Sequence, residues 1–281
     1  MSAVTESAPG KVNLVLRVGE PGSDGLHPLC SLFARLDLAD TVTVEPAERD
    51  EVICPGVDGD NLAGAAVRAL RDAAGDGAVP PLRVTIDKRL PVAAGLAGGS
   101  ADAAATLRAA NTLAGEPLDR DALRALAHGL GSDVPSQVEP ASAVVHGTGE
   151  WIDRVQLAPM ALVLLPDPQG LSTGTVYGQL DRLRAEGEAP TPAGLDPGPL
   201  KRLAGATPAQ LSTRLENDLQ LPVLWLRPDL GARLDALRAA GAHGALVSGS
   251  GPTVFGVFDD RPAAEAAAAG LPGALVAEVG G

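Results

Sequence analysis

The sequence is poor in aromatic residues, cysteine and lysine. Aromatic side chains make up only 2% of the 281 residues, although 45% of the residues are hydrophobic, so the core must be built from alanine, leucine and valine. The two cysteines, Cys30 and Cys54, form neither a disulfide framework nor a metal-ligand spacing. Lysine occurs only as Lys11, Lys88 and Lys201, and the other basic residues are arginine.

An excess of basic charge and a long apolar run are missing as well. The formal net charge is -13, which disfavours nucleic-acid binding. No apolar run approaches the ~20 residues of a membrane span, and the N-terminus has no signal-peptide pattern. We therefore expect a cytoplasmic protein with a small-molecule substrate and with no nucleic-acid or membrane partner. An anionic substrate is compatible with this charge, since main-chain N–H groups bind anions locally.

The most informative stretch runs from Leu82 to Gly115. Apolar and polar residues alternate over 82–87, which predicts a half-buried strand. A loop of very small residues follows, and Ser100 is a suitable N-cap for a helix over 101–114. Glycines at 95, 98 and 99 let main-chain N–H groups approach an anion, and the helix start adds positive partial charge. This order of elements predicts a phosphate-binding site.

The same loop has a structural interpretation, since two closely packed elements also require small residues between them. It is not a Walker A sequence, because no Lys-Ser/Thr pair follows the glycines. Its glycine spacing also differs from the dinucleotide-binding fingerprint.

The remaining pattern indicates two domains of an α+β chain. A strand is predicted from Val12 to Val18, entered at Pro9-Gly10, with Lys11 and Asn13 on one face. Another strand is predicted over 40–45, and a helix capped by Asn61 runs to Ala74. After Pro159 the order strand, helix, strand, strand, helix, strand suits a split β-α-β layer. We place the domain boundary near residue 158, giving domains 1–158 and 159–281.

Several separate motifs together resemble the GHMP small-molecule kinases. They are Ala8-Pro-Gly-Lys-Val-Asn-Leu-Val-Leu16, Asp24-Gly-Leu-His27, Asp87-Lys-Arg-Leu-Pro91, Gly95-Leu-Ala-Gly-Gly-Ser100, Gly131-Ser-Asp-Val-Pro135, Glu216-Asn-Asp-Leu219 and Ser248-Gly-Ser-Gly-Pro252. The combination of Lys11, Asp24-Gly25 with His27, and Asp133-Val134-Pro135 is most similar to the branch that acts on a cytidine diphosphate-linked methylerythritol in non-mevalonate isoprenoid synthesis.

The resemblance implies a two-domain GHMP kinase fold, with an N-terminal kinase domain and a ferredoxin-like C-terminal domain. It implies that ATP and Mg²⁺ are used to phosphorylate the 2-hydroxyl of the substrate. Asp133 would accept the hydroxyl proton, and Lys11 would keep Asp133 ionised and bear on the γ-phosphate. The loop that would hold ATP consists of Pro91, Val92, Ala93, Ala94, Gly95, Leu96, Ala97, Gly98, Gly99, Ser100 and Ala101.

The resemblance also implies substrate contacts by Asn13, His27 and Tyr177. Asn13 would hydrogen-bond the substrate, and His27 and Tyr177 would form the cytosine pocket. The sequence departs from the family at Leu26, where a tyrosine usually stacks on the base. It also departs at Ala97, usually glycine, and at Ala101, usually serine. No set of metal ligands is predicted.

Two alternatives remain open at this point. One is another GHMP kinase that acts on homoserine, mevalonate or a sugar, which would share the glycine loop. The other is a non-catalytic relative that binds a nucleotide as a sensor. Retention of Lys11 and Asp133 weighs against the sensor, which needs neither.

Overall fold

The structure is a computed structural model that describes residues 2–57, 59, 61–75, 77–192 and 194–279. Its strands are β1 (Val4–Val18), β2 (Leu29–Pro46), β3 (Glu51–Ile53), β4 (Leu82–Asp87), β5 (Ala143–Gly147), β6 (Trp151–Arg154), β7 (Ala161–Leu165), β8 (Glu216–Asn217), β9 (Gly244–Val247), β10 (Val254–Phe258) and β11 (Leu275–Glu278). Its helices are α1 (Leu62–Ala74), α2 (Gly98–Leu113), α3 (Arg120–His128), α4 (Val134–Val138), α5 (Thr173–Ala185), α6 (Gly198–Lys201), α7 (Pro208–Ser212), α8 (Gln220–Leu226), α9 (Leu230–Ala239) and α10 (Arg261–Ala268).

The chain divides into two compact units that interleave along the sequence. The first unit consists of residues 1–10, 38–92 and 97–140, and the second of residues 11–37, 93–96 and 141–281. The strands β1 and β2 are long enough to enter both units. The predicted boundary near residue 158 stays a prediction.

The first unit packs helices against a short sheet. Strand β4 pairs antiparallel with the second half of β2 and parallel with β3. Helices α1 and α2 pack against each other, and α4 packs against both α2 and α3. The core between these elements is built from alanine, valine and leucine, with Ala103, Leu107 and Ala110 of α2 fully buried. A core of such small side chains allows the backbones to approach closely.

The second unit contains an antiparallel sheet in the order β11-β7-β10-β9. Helix α9 packs on β9 and β10, and α10 packs on β7. This arrangement is the ferredoxin-like layer that the sequence predicted for the C-terminal half. The same unit also pairs β5 with β6 and with the first half of β2, and β8 runs parallel to β1.

The local predictions hold where one face of an element is polar. The helix over 62–74 is capped by Asn61, whose Oδ1 accepts a hydrogen bond from the Ala63 N–H. The strand over 82–87 is also as predicted. By contrast, the predicted strand entry at Pro9-Gly10 is wrong, since β1 begins at Val4 and passes through both residues. Residues 8–16 are buried on both faces, so no alternating pattern marks where this strand starts.

Candidate active site

Helix α2 begins three residues earlier than the sequence predicts, at Gly98 rather than at Ala101. Ala97 makes the turn in the left-handed conformation (φ 57°, ψ 25°), and no side chain caps the helix. The predicted N-cap role of Ser100 is therefore wrong, because Ser100 lies within the first turn. A helix start without a capping side chain leaves its first N–H groups for an anion.

The first main-chain hydrogen bond of α2 forms at Ala101. The Ala101 N–H donates to the Ala97 carbonyl at 2.9 Å, and the Ala101 methyl is buried in the core. The preceding residues Pro91 and Val92 lead into the loop, and the side chain of Val92 is exposed. The Ala101 N–H is therefore already bonded within the helix.

A buried ionic cluster beside the helix start was not anticipated from the sequence. The Lys88 ammonium donates to Asp40 at 2.5 Å and to Asp102 at 2.9 Å. The other oxygen of Asp40 accepts from the N–H groups of Arg89 and Leu90. A Cβ placed on Gly98 would lie 3.2 Å from Lys88 Nζ. The cluster therefore fixes Lys88 directly under the glycine that opens α2.

The charges in this cluster do not balance, since one ammonium faces two carboxylates. Burial raises the pKa of Asp102 to about 6, against the opposing hydrogen bond from Lys88. Burial by itself would lower the pKa of Lys88, but the hydrogen bonds to Asp102 and Asp40 outweigh it and raise that pKa. Within the described residues, Asp102 Oδ1 is buried without a hydrogen-bond partner.

In the second unit, residues 93–96 pack against the turn between β9 and β10. Ser248 Oγ donates to the Gly95 carbonyl at 2.9 Å, and the Thr253 N–H donates to the Ala94 carbonyl at 3.3 Å. Gly95 has φ +75°, and a Cβ there would lie 2.4 Å from the Ser248 carbonyl oxygen. Glycine is therefore required at 95. On the other side, the Leu96 carbonyl accepts from the Lys11 N–H at 3.0 Å.

Lys11 and Asn13 lie on β1 in the second unit, and both are buried. Lys11 Nζ donates to Asn13 Oδ1 at 2.8 Å and lies 4.3 Å from the centroid of the Phe33 ring. Asn13 Nδ2 donates to Ser31 Oγ at 2.9 Å, and that hydroxyl donates to the Val15 carbonyl. The amide of Asn13 thus holds the Lys11 ammonium in a fixed position, a role that the sequence did not suggest.

Asp133 lies in the first unit at the start of α4 and is half-buried. An aspartate at this place usually caps the helix, but no capping bond is made by its side chain. Its carbonyl oxygen accepts from Ser136 Oγ at 2.8 Å. Helix capping is the usual structural reason for an aspartate at this place. It does not explain Asp133.

The structure brings His27 and Tyr177 together within the second unit. Their ring centroids are 5.1 Å apart with an interplanar angle of 54°. The His27 side chain is only 7% exposed, whereas Leu26 is 48% exposed. The two rings predicted to form a base pocket are thus neighbours, and the aliphatic Leu26 directly precedes His27 in the sequence.

The described residues offer no preformed metal site and no membrane-spanning helix. Among the described residues, no group of three or more His, Cys, Asp or Glu side chains is placed to hold a metal ion. The described helices include none with the length and apolar character needed to cross a membrane. Mg²⁺ usually binds through substrate phosphates, water and one or two carboxylates rather than through a cage of protein ligands.

Family models match both halves of the chain. The GHMP kinases N terminal domain matches residues 61–147, and the GHMP kinases C terminal domain matches residues 196–277. The chain belongs to the GHMP kinase family, which confirms the predicted fold class and makes the protein a small-molecule kinase.

Curated relatives of this chain share the name of one particular kinase. Proteins named 4-diphosphocytidyl-2-C-methyl-D-erythritol kinase from Rhodococcus jostii and Nocardia farcinica are each 43% identical to this chain. The matches cover 97% and 98% of this chain, and 89% and 92% of those relatives.

Solved structures agree with these relatives. A crystal structure of 4-(cytidine 5'-diphospho)-2C-methyl-D-erythritol kinase aligns with a TM-score of 0.80 at 33% identity, covering 99% of this chain and 100% of that one. A homoserine kinase from Cytophaga hutchinsonii aligns with a TM-score of 0.66 at 16% identity, covering 100% of this chain and 95% of that one. The 16% identity to the homoserine kinase shows a shared fold alone. The structural comparison therefore favours the cytidine-linked kinase activity over the homoserine alternative.

Proposed function

We propose that this protein transfers the γ-phosphoryl group of ATP to the 2-hydroxyl of 4-diphosphocytidyl-2-C-methyl-D-erythritol, a step of non-mevalonate isoprenoid synthesis. The observation that carries the proposal is the 43% identity to a kinase of that name over 97% of the chain. We place the reaction in the cytoplasm, as expected from the composition of the sequence.

In the proposed reaction the substrate hydroxyl oxygen forms a bond to the γ-phosphorus, and the bond from that phosphorus to the β,γ-bridging oxygen breaks. ADP leaves, and the hydroxyl proton passes to Asp133. Such transfers depend mainly on alignment and charge neutralisation. Lys11 supplies a positive charge for the γ-phosphate, and its hydrogen bond to Asn13 fixes where that charge lies.

The ATP phosphates are proposed to bind along residues 91–101. Support comes from the uncapped start of α2 and from the glycines at 98 and 99, which leave the main chain of its first turn without side chains. Mg²⁺ would neutralise oxygens of the β- and γ-phosphates, with Ser100 as the side chain proposed to contact the metal or the phosphate. The cytosine is proposed to bind at His27 and Tyr177.

The catalytic assignment is tested by Asp133→Asn and Lys11→Ala. We expect each change to lower kcat by two or more orders of magnitude, because proton acceptance and charge stabilisation each contribute about 10²-fold or more. Asp121→Asn is a matched control, since that carboxylate is 92% exposed on α3. Near-normal turnover by either site variant, with its urea unfolding midpoint unchanged, would refute the assignment.

The alternatives are another GHMP kinase and a non-catalytic nucleotide sensor. The sensor makes a distinct prediction. It predicts that ATP binds but that no ADP is released with any acceptor. Measuring ADP release with magnesium and the cytidine-linked acceptor, and separately with mevalonate and homoserine, distinguishes the three possibilities in one assay.

A further inference from the structure

The His27 ring is held by the protein at both of its nitrogens. Nδ1 lies 2.9 Å from the Gly19 carbonyl oxygen, and Nε2 lies 3.4 Å from Asp181 Oδ2. A carbonyl oxygen only accepts hydrogen bonds, and an ionised carboxylate does the same. Nδ1 is therefore the donor to the Gly19 carbonyl, and Nε2 faces the Asp181 carboxylate at ion-pair distance, so the protein contacts both nitrogens. What the ring offers to a ligand is its placement beside Tyr177.

Three residues of α5 form one stripe that faces this region. Tyr177, Asp181 and Arg184 are spaced four and three residues apart, so they lie on the same side of the helix. Tyr177 contacts the His27 ring, and Asp181 contacts its Nε2. Arg184 donates to the Gly19 carbonyl at 3.1 Å and to the Val18 carbonyl at 2.7 Å.

The stripe holds the turn that carries His27 by two routes. Arg184 binds the main chain of the turn directly, and its side chain is 6% exposed. Asp181 acts only through the imidazole, and its own side chain is 42% exposed. Loss of Asp181 therefore leaves the turn anchored but removes one of the two polar contacts that hold the ring beside Tyr177.

We propose that Asp181 is a positioning residue for the nucleotide end of the substrate, fixing the His27 ring against Tyr177 so that the base finds a rigid site. The inference rests on the proposed function, because it assigns the His27 and Tyr177 pair to the cytidine of the acceptor. The dependence on Asp181 is accentuated here because Leu26 cannot add an aromatic face to the site.

The test is the steady-state kinetics of Asp181→Ala with the cytidine-linked acceptor, together with calorimetric titration of CDP. We expect KM for the acceptor and Kd for CDP each to rise by up to about fivefold, because a contact between an imidazole and a half-exposed carboxylate contributes about that much to an equilibrium constant. KM for ATP and kcat should stay within about twofold, because the change does not touch the groups proposed for phosphoryl transfer. Asp181→Asn keeps an oxygen that accepts from Nε2, so it should recover most of the affinity.

The control is Asp235→Ala, which removes an aspartate that is 78% exposed and pairs with an arginine on α9. An unchanged acceptor KM in Asp181→Ala would overturn the inference. A fall in kcat and a rise in KM for ATP as large as the change in acceptor KM would overturn it as well. If the wild-type protein fails to phosphorylate the acceptor, the proposed function itself fails. Normal wild-type turnover with an insensitive Asp181→Ala variant overturns only the positioning role.

Discussion

Replacing Asp102 by asparagine should change how the stability of this protein depends on pH. Asp102 shares the Lys88 ammonium with Asp40 inside the first unit, and the cluster carries a net negative charge when both carboxylates are ionised. Burial raises the pKa of Asp102 from 3.8 to about 6. The folded protein therefore holds this proton more tightly than the unfolded chain does.

The sign and size of the effect follow from that difference. The contribution of Asp102 to stability is fully present below pH 3.8 and is lost as the pH rises through about 6. The difference between a pKa of 3.8 in the unfolded chain and about 6 in the folded protein corresponds to about 3 kcal/mol over the whole range. Between pH 5 and pH 7.5 the expected loss is about 1.4 kcal/mol. Asp102→Asn has no such titration, so it should become relatively more stable than the wild type as the pH rises.

Urea unfolding at pH 5, 6 and 7.5 measures this difference directly. Comparing the two proteins at each pH removes the titration of the shared groups outside the cluster of Asp102, Lys88 and Asp40. A constant offset caused by the asparagine does not affect how the difference in unfolding free energy depends on pH. Asp121→Asn serves as the control for an exposed aspartate. A difference that is independent of pH, or one that favours the wild type at higher pH, would refute the conclusion that burial outweighs the pairing with Lys88.

Three further changes test the loop and the base site. Gly95→Ala should destabilise the protein by about 3 kcal/mol or more, because its Cβ would lie 2.4 Å from the Ser248 carbonyl at φ +75°, and a thermal melt that is unchanged would contradict this. Ala97→Gly should raise the free energy of unfolding by about 0.5–1 kcal/mol, because glycine adopts the left-handed conformation of residue 97 without strain. Denaturant titration measures this free energy, and a loss of stability would contradict the argument from backbone strain. Turnover with cytidine- and uridine-linked acceptors should differ in favour of cytidine, and equal kinetics would remove the proposal of a cytosine pocket at His27.

Local sequence signals predicted those elements whose boundaries depend on neighbouring residues. The cap at Asn61 located α1, and alternation located β4, because each signal lies within a few residues of the structure that it specifies. The start of α2 was missed because Ala97 adopts a left-handed conformation that alanine rarely takes. The length of β1 was missed because burial of both faces removes the period-two pattern.

The groups that support the candidate site depend on contacts between distant residues. Lys88 meets Asp40 across 48 positions and Asp102 across 14, so no spacing in the sequence marks the three as one cluster. The contact between His27 and Asp181 joins two separate segments in the same way. The sequence motifs identify residues proposed to touch substrates, whereas the residues that hold those groups in place become visible only in the fold.

Phosphorylation of one particular nucleotide-linked acceptor is the activity proposed for this GHMP kinase. It is measured as ADP release by the purified wild-type protein with ATP, magnesium and 4-diphosphocytidyl-2-C-methyl-D-erythritol, together with mass spectrometry of the acceptor. We expect ADP release matched by addition of one phosphoryl group to the acceptor, and no release with mevalonate or homoserine. An acceptor that stays unmodified while either of the other two is phosphorylated would contradict it.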